Sequence, residues 1–265
     1  MIVGVPKEIK SSEFRVGVTP STGARIVSEK HTLIVEKNAG EGIGATDQDY
    51  IKIGGQIVES ASEVFENSDM IVKVKEPQEA EWKMLKEDQI LFTYLHLAAD
   101  PDQAEGLMKS KCHAIAYETI TDNKGSLPLL APMSEIAGRL AVLEGAYHLK
   151  KTSGGPGSLI SGVPGVKPSK VVILGGGMVG TNSAHMAAGL GADVTIFDKS
   201  IDRLRYLNDI FGNSGLAIIL LLTMCILISG IFNFSLYEGL NNIFSLLKNF
   251  FIKIKNIFTK KSIEI

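Results

Sequence analysis

The stretch KVVILGGGMVGTNSAHMAAGLGADVTIFD, residues 170–198, constrains the fold more than any other part of the sequence. An apolar, β-branched run leads directly into a glycine-rich turn, a helix-prone segment of small residues and a second apolar run. Gly175, Gly177 and Gly180 have the spacing G-x-G-x-x-G, in which glycine permits a tight turn, close approach to a pyrophosphate and close helix–strand packing. The stretch therefore predicts a strand–turn–helix–strand unit that binds a dinucleotide at the start of its helix.

An acidic residue ends the second strand of this unit. Asp198 stands where a carboxylate accepts both hydroxyls of an adenosine ribose and repels a 2′-phosphate. This position predicts NAD as the cofactor in preference to NADP. Because strand, helix and acid are in register, a purely structural glycine turn is the weaker interpretation.

Short β-branched runs alternate with polar, helix-prone segments through the first half of the chain. The predicted strands are IVGVP, TLIVEK, QIVES, MIVKVK, ILFTYLHL and AIAYETI. Strands that alternate with helices predict βαβ units and a parallel sheet covered on both faces. The predicted fold class is α/β, with two Rossmann-like, doubly wound parallel-sheet domains, the second incomplete, and an apolar helical tail.

Three regions follow from these patterns. Residues 1–128 are predicted to form a substrate domain, and residues 129–212 a linking helix and the first half of the NAD-binding domain. Residues 213–265 are a divergent apolar and basic tail. Ser134 is the predicted N-cap of the linking helix, because small and apolar residues at helical spacing follow it.

Polar side chains follow several predicted strands of the first domain. Arg15 stands in the loop after the first strand, where a guanidinium is suited to bidentate recognition of a carboxylate. Lys75 shares a strand face with Lys73 by the two-residue period, and Tyr94 and His96 end the run ILFTYLHL. Ligands of open α/β sheets bind beyond the carboxyl ends of the strands, so these residues are candidates for a substrate site. Each by itself is better explained as an ordinary surface or hydrogen-bonded side chain, and only their occurrence together beside an NAD-binding domain makes a functional role equally compatible.

Charge and cysteine usage exclude other classes of protein. The formal net charge is −2, with 27 basic and 29 acidic residues, and predicts no nucleic-acid binding. No spacing of His, Cys, Asp or Glu indicates a metal site. Cys112 and Cys225 are far apart, which indicates a reducing compartment without a disulfide framework. The start MIVGVPKEIK lacks the charged and apolar regions of a signal peptide, so we expect a cytoplasmic location.

Seven motifs in order resemble those of the alanine dehydrogenase family, from Met1 to about Gly212. They are GVPKEIKSSEFRVGVTP, VKVKEPQ, ILFTYLHLAAD, AIAYETI, LPLLAPMSEIAGRLA, GVPGV and ILGGGMVGTNSAHMAAGLGADVTIFD. The resemblance implies NAD-dependent oxidative deamination of L-alanine to pyruvate and ammonia, usually by a homohexamer. It also implies that the family continues beyond this point with further strands, a catalytic Asp and loops over the nicotinamide. Nothing after Gly212 matches these motifs, so we expect an impaired or inactive enzyme.

The resemblance also implies a role for each candidate residue. Arg15 would bind the substrate carboxylate, Lys75 would polarise the carbonyl or imine, and Tyr94 would lie beside the substrate. His96 would be the acid/base, a task suited to an imidazole near neutral pH. The positions that match contacts to NAD are Ser134, Met178, Val179, Asp198 and Arg203.

The segment after Gly212 has a different character. Residues 216–232 are almost wholly apolar and reach the lower limit, roughly 17 residues, for crossing a bilayer. Apolar residues then recur at spacings of three and four, flanked by lysines, as in an interfacial helix. These patterns are compatible with membrane contact through residues 216–258. The bias of the tail towards Ile, Phe, Asn and Lys favours instead a foreign sequence joined by a frameshift or rearrangement.

Two other functions stay open on the sequence. The α subunit of a membrane NAD(P) transhydrogenase is a relative whose nucleotide domains precede membrane helices. The motif FTYLHLAAD with His96 favours the dehydrogenase over that subunit. A membrane-tethered module that binds nucleotide without catalysis is the third hypothesis.

Overall fold

The chain divides into two compact units, the first of residues 1–130 and the second beginning at Ala131. The structure is a computed structural model and describes residues 1–212 and 216–220. Each unit is built around its own parallel sheet, with six strands in the first and three in the second. The α/β class and the parallel sheets predicted from the alternation of strands and helices are confirmed.

The six strands of the first unit pair in parallel in the order β3-β2-β1-β4-β5-β6. Their bounds are β1 Ile2–Val5, β2 Thr32–Glu36, β3 Gln56–Val58, β4 Met70–Val72, β5 Ile90–Thr93 and β6 His113–Ala116. Leu33 and Val35 join the apolar cluster on one face of the sheet, whereas Ile34 joins the cluster on the other. Both faces are buried, as expected for a parallel sheet whose connections cross over it.

Five helices connect these strands, and local signals begin most of them. They are α1 Pro20–Ser28, α2 Asp47–Lys52, α3 Ala61–Asn67, α4 Glu79–Trp82 and α5 Pro101–Ser110. The side chains of Thr19, Ser60 and Asp100 each accept a hydrogen bond from a backbone N–H of the first turn that follows. Such caps satisfy N–H groups that have no partner inside the helix.

The second unit contains a long helix and then a strand–helix repeat. Its elements are α6 Ala131–His148, β7 Lys170–Leu174, α7 Met178–Gly189, β8 Asp193–Asp198, α8 Ile201–Phe211 and β9 Ala217–Leu220. The three strands are parallel in the order β7-β8-β9. Within the described ranges, β7 has a neighbouring strand on one side only, and its Val172 and Leu174 are 61% and 75% exposed.

Two sequence predictions in this unit need correction. Residues 217–220, predicted as part of a helical tail, are a strand that pairs with β8. A short apolar run is compatible with strand or helix, and the open edge of β8 offers its backbone hydrogen-bond partners.

Ser134 is not the N-cap of α6, because the helix starts three residues earlier at Ala131. Pro132 suits a first helical turn, since its fixed φ is helical and its missing N–H would have had no partner there.

Apart from Leu216, which precedes β9, the rest of the predicted tail, residues 213–215 and 221–265, lies outside the described residues. In the part of the chain that is described, no helix combines the length and the apolar character needed to cross a lipid bilayer.

A buried ammonium group joins three segments of the first unit. Lys73, just beyond β4, has a fully buried side chain whose Nζ lies 3.0 Å from Glu8 Oε2 and 2.6 Å from Glu81 Oε1. The other oxygens of these carboxylates accept the backbone N–H groups of Val74 and Gln78, at 2.6 and 2.8 Å. Burying three charges costs solvation energy, which this complete set of hydrogen bonds offsets.

Removing the ammonium group should therefore destabilise the fold strongly. Lys73→Met leaves two buried carboxylates without their cation, and we expect the free energy of unfolding to fall by about 3–5 kcal/mol. Urea unfolding followed by circular dichroism measures the change. Lys83→Met is the matched control, because Lys83 pairs with Glu79 on the surface of α4 and its loss should cost less than about 1 kcal/mol. Equal losses for the two variants would contradict the structural role of Lys73.

Candidate substrate and dinucleotide sites

The candidate substrate residues follow strands that are neighbours in the first sheet. Arg15 lies in the loop after β1, Lys75 follows β4, and Tyr94 and His96 follow β5. Strands β1, β4 and β5 are adjacent and parallel, so their carboxyl ends meet at one edge. The sheet order therefore brings these loops together, although they are distant in sequence.

The guanidinium of Arg15 is held by a carboxylate two residues away. Glu13 accepts hydrogen bonds from Arg15 Nε at 2.8 Å, from its Nη2 at 2.5 Å and from its backbone N–H at 2.9 Å. These hydrogen bonds raise the pKa of Arg15 and lower the pKa of Glu13. The positive charge of Lys75 lowers the pKa of Glu13 further. Glu13 was not predicted as a site residue. It pairs with Arg15 inside an irregular loop, where no repeating sequence pattern marks which side chains meet.

The segment that carries Lys75 is fixed by contacts to its main chain. Thr93 Oγ1 donates to the carbonyl of Lys75 at 2.8 Å, and Glu8 accepts the N–H of the preceding residue, Val74. The strand ends at Val72, and the side chain of Lys73 is buried among carboxylates whereas Lys75 is half-buried. The predicted shared strand face of Lys73 and Lys75 is therefore wrong, because β4 ends before both residues, and of the two only Lys75 is exposed enough to reach a ligand.

His96 has an uncommon backbone conformation that a carboxylate stabilises. Its φ is 49° and its ψ 38°, in the left-handed region. Glu118, which follows β6, accepts the backbone N–H of His96 at 2.7 Å and that of Leu95 at 3.1 Å, and lies 4.0 Å from His96 Nδ1. Burial raises the pKa of Glu118, but these backbone hydrogen bonds outweigh it and the net shift is downward. Glu118 was missed on the sequence, although its place after a strand was a usable signal.

Tyr94 lies between His96 and a second aromatic ring. Its ring stacks on the imidazole of His96 with centroids 5.9 Å apart, and meets the ring of Tyr117 edge-on at 5.0 Å. Its hydroxyl donates to the carbonyl of Leu129. Burial raises the pKa of Tyr94 and the charge of Arg15 opposes that rise, so the two side chains are close enough to interact electrostatically.

The glycine turn after β7 has the geometry that its spacing predicts. Gly175 has a φ of +97°, which L-residues rarely adopt, and a Cβ on Gly180 would lie 1.8 Å from the carbonyl oxygen of Gly175. A Cβ on Gly177 would meet no atom within 4 Å, so there is open space where a pyrophosphate would approach. Gly177 caps α7 without a side-chain hydrogen bond, and Met178 and Val179 in the first turn are exposed. The turn fits a dinucleotide.

Asp198 and Arg203 hold this turn from the next strand and helix. Asp198 accepts the N–H of Gly176 at 2.6 Å and that of Ser200 at 2.8 Å, and these hydrogen bonds, that of Ser200 foremost, lower its pKa. Arg203 donates through Nε to the carbonyl of Gly176 and through Nη2 to Thr181 Oγ1 at 2.7 Å. Both side chains therefore border the turn and organise it.

The helix that carries Ser134, α6, packs closely on α7. A Cβ on Gly138 would be 2.3 Å from the carbonyl oxygen of Val179, and Ser183 Oγ donates to the carbonyl of Gly138 at 2.8 Å. Ser134 is four residues before Gly138 and so shares its face of the helix.

Among the residues described, no group of three or more His, Cys, Asp or Glu could hold a metal ion.

Two family models match the chain. The model of the alanine dehydrogenase/PNT N-terminal domain matches residues 4–137, and that of the C-terminal domain matches residues 141–249. The second match continues beyond Gly212, where the motif resemblance ends.

Individual proteins give the same result over four-fifths of the chain. The alanine dehydrogenase of Methanococcus maripaludis is 53% identical over 213 residues, which are 80% of this chain and 57% of that protein. The alanine dehydrogenase of Bacillus subtilis is 50% identical over 213 residues, which are 80% of this chain and 56% of that protein. The chain thus spans a little over half the length of these curated relatives.

Solved structures extend the comparison to the fold. An L-alanine dehydrogenase structure matches with a TM-score of 0.78 and 51% identity, over 86% of this chain and 63% of that one. The transhydrogenase from Sinorhizobium meliloti matches with a TM-score of 0.69 over 86% of this chain and 67% of that one, but its 20% identity indicates a shared fold only. The resemblance seen in the motifs is confirmed, and the chain belongs to the alanine dehydrogenase/PNT family.

Proposed function

We propose that the chain catalyses the reversible, NAD-dependent oxidative deamination of L-alanine to pyruvate and ammonia. The observation that carries this proposal is the meeting of the loops bearing Arg15, Lys75 and His96 at one sheet edge, in a chain about half identical to alanine dehydrogenases. A guanidinium, an ammonium and an imidazole are the groups that a small amino or keto acid requires. The family's homohexamer and cytoplasmic location belong to the same proposal.

Each of these side chains has a defined task in the proposed reaction. Arg15 binds the substrate carboxylate, and Lys75 hydrogen-bonds the imine or carbonyl and stabilises negative charge developing there. His96 removes a proton from the water that attacks the imine carbon and returns it to the departing ammonia. The stacked ring of Tyr94 and the carboxylate of Glu118 orient this imidazole.

The turn after β7 supplies the cofactor side of the proposal. Gly175, Gly177 and the first turn of α7, with Met178 and Val179, would receive the pyrophosphate of NAD, while Gly180 keeps helix and strand in contact. Asp198 would accept the ribose hydroxyls, with Arg203 and Ser134 beside the same turn. When bound, NAD accepts the hydride that leaves the alanine Cα.

The transhydrogenase hypothesis gains no specific support, because the likeness to that structure extends to the fold alone. A nucleotide-binding module without catalysis is separated from the dehydrogenase by the two measurements below. One of them tests turnover, and the other tests binding alone.

Turnover should depend on alanine and on His96. We expect the purified full chain to form NADH from NAD when L-alanine is added, more slowly than a chain that carries the family motifs beyond Gly212. We expect His96→Gln to lower that rate by roughly 10²–10⁴-fold through loss of the acid/base. Absorbance of NADH measures the rate. His113→Gln is the matched control, because His113 is exposed at the amino end of β6, whereas the candidate substrate residues follow the carboxyl ends of the strands. NAD binding without alanine-dependent turnover in the unsubstituted chain would refute the dehydrogenase and favour the binding module.

Nucleotide binding should depend on the space beside Gly177. Gly177→Ala adds a methyl group that meets no protein atom within 4 Å but occupies the expected pyrophosphate position. We expect NADH to bind at least about tenfold more weakly, with no more than about 1 kcal/mol lost in folding stability. Fluorescence titration with NADH and a thermal melt measure the two effects.

Gly189→Ala is the control for this substitution. Gly189 is exposed in α7, and a methyl group added there would also meet no atom within 4 Å. Its NADH affinity should equal that of the unsubstituted chain. An unchanged affinity in Gly177→Ala would show that the dinucleotide does not use this turn.

A further inference from the structure

We propose that Glu13 balances the charge of the substrate site, so that the site accepts both a zwitterionic amino acid and an anionic keto acid. The inference rests on the proposed function, since it concerns the same pocket and the same ligands. It assigns to Glu13 the role of setting the relative affinity for the two substrates, not that of a group that reacts.

The first support is the placement of the carboxylate. Only 7% of the Glu13 side chain is exposed, while that of Arg15 is 43% exposed. Three hydrogen bonds from Arg15 hold both carboxylate oxygens. The negative charge therefore stays at a fixed position at the base of the guanidinium, and its effect on a ligand does not average out by side-chain motion.

The second support is the set of charges around it. Glu13 lies beside Arg15 and within electrostatic reach of Lys75. The nearby Glu8 shares the ammonium of Lys73 with Glu81, and Glu76 pairs with Lys10. Glu13 is the carboxylate held directly on the guanidinium of Arg15, so its removal makes the charge beside a bound ligand more positive by one unit.

This difference acts unequally on the two ligands. Pyruvate carries one negative charge at neutral pH, whereas alanine carries a carboxylate and an ammonium group. Without Glu13, the carboxylate of either ligand would be attracted more strongly, but the ammonium of alanine would be repelled more strongly. The two effects oppose each other for alanine and not for pyruvate, so the loss of Glu13 should shift the preference towards the keto acid.

The test compares two affinities in one protein. Dissociation constants for pyruvate and for L-alanine are both measured by calorimetry on the full chain saturated with NADH in ammonia-free buffer, where neither ligand can react. For Glu13→Gln we expect pyruvate to bind about five- to tenfold more tightly and alanine to change less than about twofold. The gain for pyruvate should shrink as salt is raised, because it comes from charge.

Two further variants make the result specific. Glu13→Asp keeps the charge and should keep the ratio of the two constants. Glu41→Gln removes the same charge from a residue that lines the same cavity of about 430 Å³, but Glu41 is 73% exposed and pairs with Lys7, so the ratio should not move. Glu13→Ala provides the same charge change if Glu13→Gln does not fold.

The outcomes separate this inference from the proposed function. Binding of neither ligand to the unsubstituted chain would overturn both. Binding of both ligands with an unchanged ratio in Glu13→Gln would overturn the charge balance alone. Equal weakening of both ligands would also overturn it, because that result indicates a residue that only positions Arg15.

Discussion

One buried ammonium group joins the segments on which the first unit depends. Lys73 lies between Glu8, which follows β1, and Glu81, which is in α4, and both carboxylates also accept backbone N–H groups. The arrangement costs desolvation energy and is stable only while all its partners are present. Its benefit is positional, because the N–H of Val74 is fixed immediately before Lys75. A structural ion cluster thus holds the backbone beside the proposed substrate-binding residue Lys75.

Carboxylates also fix the backbone at two other residues of the candidate site by accepting its N–H groups. Glu118 accepts two consecutive N–H groups and stabilises His96 at a positive φ, a conformation that most residues avoid. Glu13 holds both the backbone and the guanidinium of Arg15. Arg15 and His96 are therefore each held by a carboxylate that sets their position, and Lys75 follows a backbone N–H that Glu8 holds. This order reduces the conformational entropy lost when a ligand binds.

The glycine turn between β7 and α7 in the second unit is shaped by the absence of side chains at three glycines. Gly175 adopts a positive φ, Gly180 permits contact between helix and strand, and Gly177 leaves open space. Asp198 and Arg203 then fix the turn through its main chain. The sheet continues on the β8 side with β9, so the apolar run after residue 215 begins as part of the family fold and not as a separate helix.

Local patterns were sufficient for the elements and for the residue types of the site. Alternating β-branched runs predicted the strands β1 to β8, and the glycine spacing predicted the turn before α7, because strand propensity and steric permission are properties of short segments. The sequence alone also identified Arg15, Lys75, Tyr94, His96 and Asp198 as candidates.

Only the tertiary structure distinguished Lys73 from Lys75, which the two-residue period predicted on one strand face, and revealed the carboxylates Glu8, Glu13 and Glu118. It also decided that residues 217–220 form a strand. These outcomes depend on which segments are neighbours in the sheet, and pairing between distant segments leaves no periodic mark in the sequence.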